Sequence, residues 1–353
     1  MISSGWSLII STKTCRSTLH FEDDEITVAC LFDITKAYDH LWHGGVLLKM
    51  ATIGLSNSTI QMIMSFLLNR SIRIKINNAT SEPITLMSGT PQGSIISATV
   101  FNIWVYDIPQ PLAEKRTKLS QFADDMASWT KAKDSRTAIR ELDRYNSRLT
   151  RYCGVWSIGL STEKTQVVYF SKKRIEQDRK VTVAGQQLTP TEEAEFLGFT
   201  LDRNLKLRSH HKKKCTEMRR RIGVLRNICG TNERPRAGTD IGINIMKTMI
   251  APICYYAPTV ACTMTDKMMG DYDTLIKRAG RIACHAPKTA AGDYMNRHLN
   301  LESSRSVMTK LATRYINNEN RSSTVKEIVR KYQTKTIRHD SPLTKISDIC
   351  AKS

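Results

Sequence analysis

Apolar and polar positions along this chain change period several times, and each change marks an element. The run Glu25-Ile26-Thr27-Val28-Ala29-Cys30-Leu31-Phe32 is dense in apolar and branched residues and predicts a buried strand with the carboxylate of Asp33 at its tip. Residues 45 to 68 and 134 to 154 carry helix-like patterns, the second ending near Cys153-Gly154. Arg70-Ser71-Ile72-Arg73-Ile74-Lys75-Ile76 alternates residue by residue and predicts one half-exposed strand. Ile95 to Asp107 places its apolar side chains mostly on one helical face, behind the glycine-bearing stretch Ser88-Gly89-Thr90-Pro91-Gln92-Gly93-Ser94. Strands interleaved with helices in this way predict an α+β fold, an antiparallel sheet with packed helices, rather than a doubly wound sheet.

Between Gln121-Phe122-Ala123 and Met126-Ala127-Ser128-Trp129 stand Asp124 and Asp125, which read as the turn of a tight hairpin. If that hairpin pairs with the Asp33 strand, Asp33 and Asp124 meet within a few ångströms. Two carboxylates so placed repel by about 4 kcal/mol at an effective dielectric near 20, a cost that cations offset. All-oxygen ligands select hard ions, Mg²⁺ above all, and a pair of such ions suits in-line nucleotidyl transfer. The competing reading is an ordinary solvated Asp-Asp turn. The loop at Gly89 to Gly93 is likewise either a site where backbone approaches a substrate or merely a turn and helix cap.

The order of these blocks resembles the reverse transcriptases of non-LTR retrotransposons, in particular the Jockey-type and related LINE-like elements. Phe32-Asp33-Ile34-Thr35-Lys36-Ala37-Tyr38-Asp39 with Trp42-His43 looks like that family's motif A, and Gly89 to Gly93 with Phe101-Asn102 is similar to motif B. Phe122 to Asp125 resembles motif C, Trp156-Ser157 through Leu160 to Thr165 motif D, and Phe196 to Asp202 motif E. Tyr255-Tyr256 and Cys284 to Thr289 look like weaker downstream landmarks.

The resemblance implies a right-hand polymerase palm followed by a helical thumb and a helical C-terminal region. It implies Asp33, Asp124 and Asp125, with the Ile34 carbonyl, as ligands of two Mg²⁺ ions that Mn²⁺ can replace. Tyr38 takes the place of the steric gate against a ribose 2′-hydroxyl; by its own pattern it is equally a core aromatic. Gln92 and Gly93 match nucleotide-contacting positions, Lys164 a lysine beside the triphosphate, and Phe196, Leu197 and Gly198 the primer grip. Taken alone, Lys164 reads as a solvated charge and the Phe196 segment as an edge strand. The implied partners are an RNA template, a DNA primer and deoxynucleoside triphosphates. A group II intron-type maturase shares the palm blocks, but Trp42-His43 and Phe101-Asn102 favour the retrotransposon. The expected site of action is intracellular, in a nuclear or cytoplasmic ribonucleoprotein.

Motif A begins about thirty residues from Met1, so residues 1–24 are expected to supply only a residual fingers segment, and weak or absent polymerisation is expected from the chain as it stands. A catalytically inactive nucleic-acid-binding remnant is therefore the second expectation. The remaining boundaries are expected at 25–203 for the palm, 204–240 for a basic thumb and 241–353 for a helical region with a polar tail.

Charge reinforces a polyanionic partner: 53 Lys and Arg against 33 Asp and Glu give a formal net charge of +20. Residues 203 to 236 concentrate it, with Glu217 and Glu233 their sole acids. There Cys215, Met218, Ile222, Leu225 and Cys229 recur at steps of three and four, which predicts an amphipathic helix with a basic remainder. Lys212, Lys213, Lys214, Arg219 and Arg220 are its candidate nucleic-acid contacts; a merely solvated charged face is the alternative. His210-His211 with Cys215 reads as part of this helix rather than a metal site. Nine cysteines without a Cys-x-x-Cys pair predict neither a disulfide framework nor a zinc knuckle. Lys247, Pro252 and Pro258 interrupt the apolar stretch from Ile245 to Cys262, so no membrane span is expected.

Overall fold

A computed structural model describes residues 25–109, 116–171, 179–231, 233–261, 264–287, 289–291 and 299–316. These residues divide into two compact units between Gly198 and Phe199. The polar tail, with its expected helix from Val325 to Tyr332, and the expected residual fingers segment lie outside the described residues.

The first unit is built on strand β1 (Ile26–Ile34), which is buried along nearly its whole length. Its neighbours are β7 (Asp125–Ala132) on one side and β8 (Leu160–Phe170) on the other, with β6 (Thr117–Phe122) outside β7, all antiparallel. Alternation along β1 sorts the side chains: Val28, Cys30, Phe32 and Ile34 enter the main core, leaving Asp33 on the opposite face. Against that core lie α3 (Ile95–Trp104) and α4 (Ser135–Val155). The start of α4 is fixed by Asp134, whose carboxylate accepts the Thr137 amide at 2.8 Å. From there Ala138, Leu142, Tyr145, Leu149 and Cys153 bury one face at helical spacing.

Three sequence expectations are corrected here. The patterned segment at 45 to 68 is two helices, α1 (His43–Thr52) and α2 (Asn57–Leu67). Gly54, at φ 79°, turns the chain out of the first, and the Ser56 hydroxyl accepts the Thr59 amide to start the second. The alternating stretch 70 to 76 is two short strands rather than one, β2 (Arg70–Ile72) and β3 (Lys75–Ile76), and past Arg70 it is exposed instead of half-exposed. β2 pairs with β5 (Ile84–Leu86), while β3 folds back on β4 (Ala79–Thr80), so the chain changes partner at Arg73-Ile74. The third concerns the Asp-Asp turn: its two residues are Ala123 and Asp124, and Asp125 already opens β7.

The unit continues through a small hairpin, β9 (Val181–Val183) with β10 (Gln186–Leu188), and ends on β11 (Glu193–Phe196) and a turn at Leu197-Gly198. Both turn residues have positive φ, 49° at Leu197 and 74° at Gly198, and only the glycine adopts it at no steric cost.

The second unit opens with β12 (Phe199–Asp202) and the basic helix α5 (Arg208–Cys229). All five apolar positions of the predicted stripe, Cys215, Met218, Ile222, Leu225 and Cys229, are buried. Gly230 ends α5 at φ 82°, where an added Cβ would fall 2.3 Å from the Arg234 carbonyl oxygen. After α6 (Thr239–Ile245) a π-helical turn, Met246–Ile250, leads into α7 (Ala251–Tyr255), whose Pro252 cannot donate to the preceding turn. Then come α8 (Pro258–Ala261), α9 (Asp266–Ala283), which packs along α5, and α10 (Ser304–Ile316). Among the described residues no helix is long and apolar enough to cross a membrane.

Candidate active site

Pairing brings the carboxylates together from elements far apart in sequence. In the register of β1 with β7 the partner of Asp33 is Asp125, not Asp124, and across β8 it is Ser161. Residues directly opposite in an antiparallel pair share a face, so Asp33 and Asp125 lie on the side away from the main core. Asp124 sits one residue before Asp125, in the turn that Ala123 makes possible at φ 50°. The β1–β8 register slips between Leu31 and Asp33, an irregularity beside the carboxylate of the kind that re-aims side chains at functional sites.

The electrostatics are those of crowded negative charge. Burial, then Asp124, then Asp33 push the Asp125 carboxyl up to about 6 from its ordinary 3.8. Asp33 keeps one carboxylate oxygen, Oδ2, buried and without a hydrogen bond. The Lys164 ammonium stands 3.4 Å from that oxygen, near enough to form an ion pair but longer than a charge-assisted hydrogen bond. Lys164 itself is 73% exposed, so the pair is open to solvent on the lysine side. Its backbone is set by Ser161, whose hydroxyl accepts the Lys164 amide at 3.3 Å. Among the described residues no three Cys, His, Asp or Glu side chains already converge closely enough to enclose an ion. The buried Asp33 oxygen, which lacks a hydrogen bond, and the all-carboxylate donor set nevertheless suit a hard divalent cation.

Tyr38 and the loop before α3 form the second part. The Tyr38 ring stacks on Phe101, centroids 5.2 Å apart, and its carbonyl accepts the Thr90 amide at 2.8 Å. Gly89 donates to the Leu41 carbonyl at 2.8 Å while its own carbonyl accepts from His43 Nε2 at 2.7 Å and Arg70 Nη2 at 2.5 Å. The loop is thus laced to the segment following Asp33. Gln92 donates to Asp39 Oδ1 at 3.0 Å, and Gly93, at φ 91°, faces open space.

Sequence reasoning missed the groups that hold this assembly from behind. Lys49 is almost wholly buried, and its ammonium bonds the Trp104 carbonyl, Asp107 Oδ1 and the Tyr152 hydroxyl, each at 2.5 Å, with the Trp156 ring 4.0 Å away. Tyr152 also donates to Asp107. Burial lowers the Lys49 pKa, and Asp107 works against that shift. A signal existed, since Lys49 lies between the apolar Val46 and Met50 of an amphipathic helix. Asp39 and Arg70 were equally overlooked as supports of the loop.

Of the predicted primer grip, Phe196 is buried and Leu197-Gly198 form the turn after it. On α5, Lys212, Lys213, Arg219 and Arg220 are exposed, whereas Lys214 is largely covered and lies 3.6 Å from Glu217. His210 and His211 both lie in α5: the former accepts the Thr200 amide at 3.3 Å, the latter is 3.3 Å from Cys215 and 3.1 Å from the Met268 carbonyl. His285 bonds the Ala237 carbonyl at 2.9 Å.

An antiparallel sheet presenting Asp33 and Asp125 in register, with Asp124 beside them and a glycine-bearing loop laced to the first strand's exit, defines a polymerase-type palm. The chain belongs to the family described as reverse transcriptase (RNA-dependent DNA polymerase), whose profile matches residues 6–201. It is 30% identical over 241 residues to the RNA-directed DNA polymerase from mobile element jockey of Drosophila funebris, an alignment covering 67% of this chain and 26% of that protein. It is 25% identical over 304 residues to the probable RNA-directed DNA polymerase from transposon BS of Drosophila melanogaster, covering 84% of this chain and 33% of that protein. The chain thus spans about a quarter to a third of these relatives. Among solved structures, apo telomerase from Candida tropicalis matches 98% of this chain and 54% of its own at 12% identity, with a TM-score of 0.47.

Proposed function

We propose that this chain carries the RNA-directed DNA polymerase centre of a non-LTR retrotransposon, extending a DNA primer on an RNA template inside a cellular ribonucleoprotein. The observation that carries the reading is the Asp33–Asp125 register pair, with a buried Asp33 oxygen that lacks a hydrogen bond and has the Lys164 ammonium 3.4 Å away. In the reaction the primer 3′-hydroxyl loses its proton and attacks the α-phosphorus of a deoxynucleoside triphosphate, and the bond to pyrophosphate breaks.

Reverse transcriptases use divalent metal ions. Here Asp33, Asp124 and Asp125, with the Ile34 carbonyl, would hold two Mg²⁺ ions or Mn²⁺ in their place, which supply charge stabilisation for the attacking and departing oxygens. This chain's own groups do the rest. Asp33 and Asp125 provide anionic oxygens on one sheet face. Lys164, exposed and beside Asp33, offers a mobile ammonium to the departing pyrophosphate. The Tyr38 ring, fixed by Phe101, bars a 2′-hydroxyl, and Gln92, set by Asp39, meets the incoming nucleotide beside Gly93. Phe196, Leu197 and Gly198 hold the primer end, while Lys212, Lys213, Lys214, Arg219 and Arg220 on α5 contact the phosphate backbone of the duplex.

The test is primer extension on an annealed RNA template with Mg²⁺ and deoxynucleotides, comparing this chain with Asp33→Ala. Extension that the substitution abolishes supports the reading. Duplex binding without extension by either protein would leave a nucleic-acid-binding remnant instead.

A further inference from the structure

Helix α4 carries a stripe of arginines that neither the carboxylate centre nor the basic helix α5 uses. Arg136, Arg140, Arg144, Arg148 and Arg151 follow one another at steps of four, four, four and three. At about 100° of turn per residue they fall within an arc of about 120°. That arc is centred opposite the buried Leu142, Leu149 and Cys153, and all five arginines are exposed. They run along about 22 Å of helix, a length that about six phosphates of one helical strand cover. The helix contains no lysine. Thr137, Ser147, Gly154 and Val155 share the arc, so Val155, in the last turn, is its one apolar side chain.

Helix stability does not account for this pattern. Like charges four residues apart destabilise a helix, and Arg136 stands in the first turn, at the positive end of the macrodipole, with no acid beside it there. A face built only for solvent would alternate the sign of its charges. The nearby acids are engaged elsewhere or stand at the border of the arc. Asp134 caps the helix by accepting the Thr137 amide at 2.8 Å, and Asp143 accepts the Thr182 amide at 2.8 Å. Glu141 stands 3.5 Å from Arg144, which remains 56% exposed. Among the described residues no ion pair joins Arg136, Arg140, Arg148 or Arg151 to a carboxylate. The helix packs on the sheet face that receives Val28, Cys30 and Phe32, its Asn146 amide 3.6 Å from the Cys30 sulfur. The stripe therefore lies across the sheet from Asp33 and Asp125.

We propose that the α4 stripe binds the phosphate backbone of the template RNA, on a single-stranded stretch outside the carboxylate centre. Guanidinium forks match phosphate oxygens two at a time, and a row of them follows a backbone without reading its bases. The choice of RNA rests on the polymerase reading, because a template held at the centre is already tethered to this chain and meets the stripe at high effective concentration. An acidic protein offers similar charge but must associate from solution.

The test is fluorescence anisotropy of the full chain over a salt series with two labelled probes. One is a blunt RNA–DNA duplex, the other the same duplex with a long single-stranded RNA overhang on the template. The overhang should tighten binding by the parent. Arg140→Gln combined with Arg144→Gln and Arg148→Gln keeps good helix formers on the exposed face and should melt no lower than the parent. That variant should lose most of the gain from the overhang and flatten its salt slope by about two, for three lost contacts to a single strand. Its binding of the blunt duplex should match the parent. Lysine at the same three positions keeps the charge and should keep the slope. No gain from the overhang, an unchanged slope in the glutamine variant, or an equal loss on the blunt duplex would overturn the proposal. So would polyglutamate that binds the parent as tightly as the overhang does and loses that binding in the glutamine variant, which would make the stripe a surface for acidic protein. Primer extension by the parent separates the two readings: its absence, with the overhang effect intact, would strike the polymerase reading alone.

Discussion

A Cβ placed on Gly89 would lie 2.7 Å from the carbonyl oxygen of Asp39, so the loop before α3 rests directly on the segment that follows the Asp33 strand. Gly89 also holds a φ of 83°, a conformation that side chains strain to adopt. Gly89→Ala is expected to cost about 2 kcal/mol, from backbone strain and displacement of the Asp39 carbonyl. A thermal melt should fall by about 5 °C, and the KM for deoxynucleotides should rise more than kcat falls, because the displaced loop carries Gln92. An unchanged melt would show that the loop does not bear on Asp39 in solution.

Asp125 links the carboxylate centre to pH. Its folded carboxyl holds a proton up to about 6, above its ordinary range, so the folded state binds more protons than the unfolded state between about 4 and 6. Stability from this group therefore falls as pH rises through that window, and the whole cost is present above it. Asp125→Asn should raise the melting temperature at pH 7.5 without divalent ions by about 3 °C, equivalent to roughly 1 kcal/mol after allowance for solvent screening. At pH 4 the two proteins should melt together. Added Mg²⁺ should stabilise the parent and not the variant; the opposite order would remove Asp125 from the metal-holding set.

These two sites differ in how far the sequence discloses them. The buried run ending at Asp33, the α4 pattern and the stripe Cys215 to Cys229 are local periodicities, and each became the expected element. The α+β class followed from their order. Which aspartate faces Asp33 was not local: it depends on turn length, and a turn at Ala123-Asp124 instead of Asp124-Asp125 shifts the partner by one. Gly54 and Ser56 were readable as a stop and a start, yet the apolar pattern running through them hid the break. The Lys49 cluster joins residues 49, 104, 107 and 152, and no single window contains it.

That cluster makes its own prediction. Lys49→Met preserves bulk but leaves Asp107 and the Trp104 carbonyl without their donor, and should cost about 2 to 3 kcal/mol in denaturant unfolding. Lys49→Met combined with Asp107→Leu should recover part of this loss, with a coupling of about 1 kcal/mol or more in a double-mutant cycle. Strict additivity would mean that the two residues act separately.

The carboxylate centre and the basic helix lie in different units, which allows chemistry and binding to be separated by substitution. Asp124→Asn should abolish Mg²⁺-dependent extension and leave template-primer affinity within about twofold, since it removes one anionic ligand and no phosphate contact. Charge reversal of exposed Lys212 and Lys213 should do the reverse. The salt slope of duplex binding should flatten by about two, one for each lost phosphate contact, because fewer counterions are released. Lys214 is better left out of that variant, as its pairing with Glu217 would confound the slope. Extension measured at saturating duplex should then match the parent, whereas an unchanged slope would place the duplex on another surface of the chain.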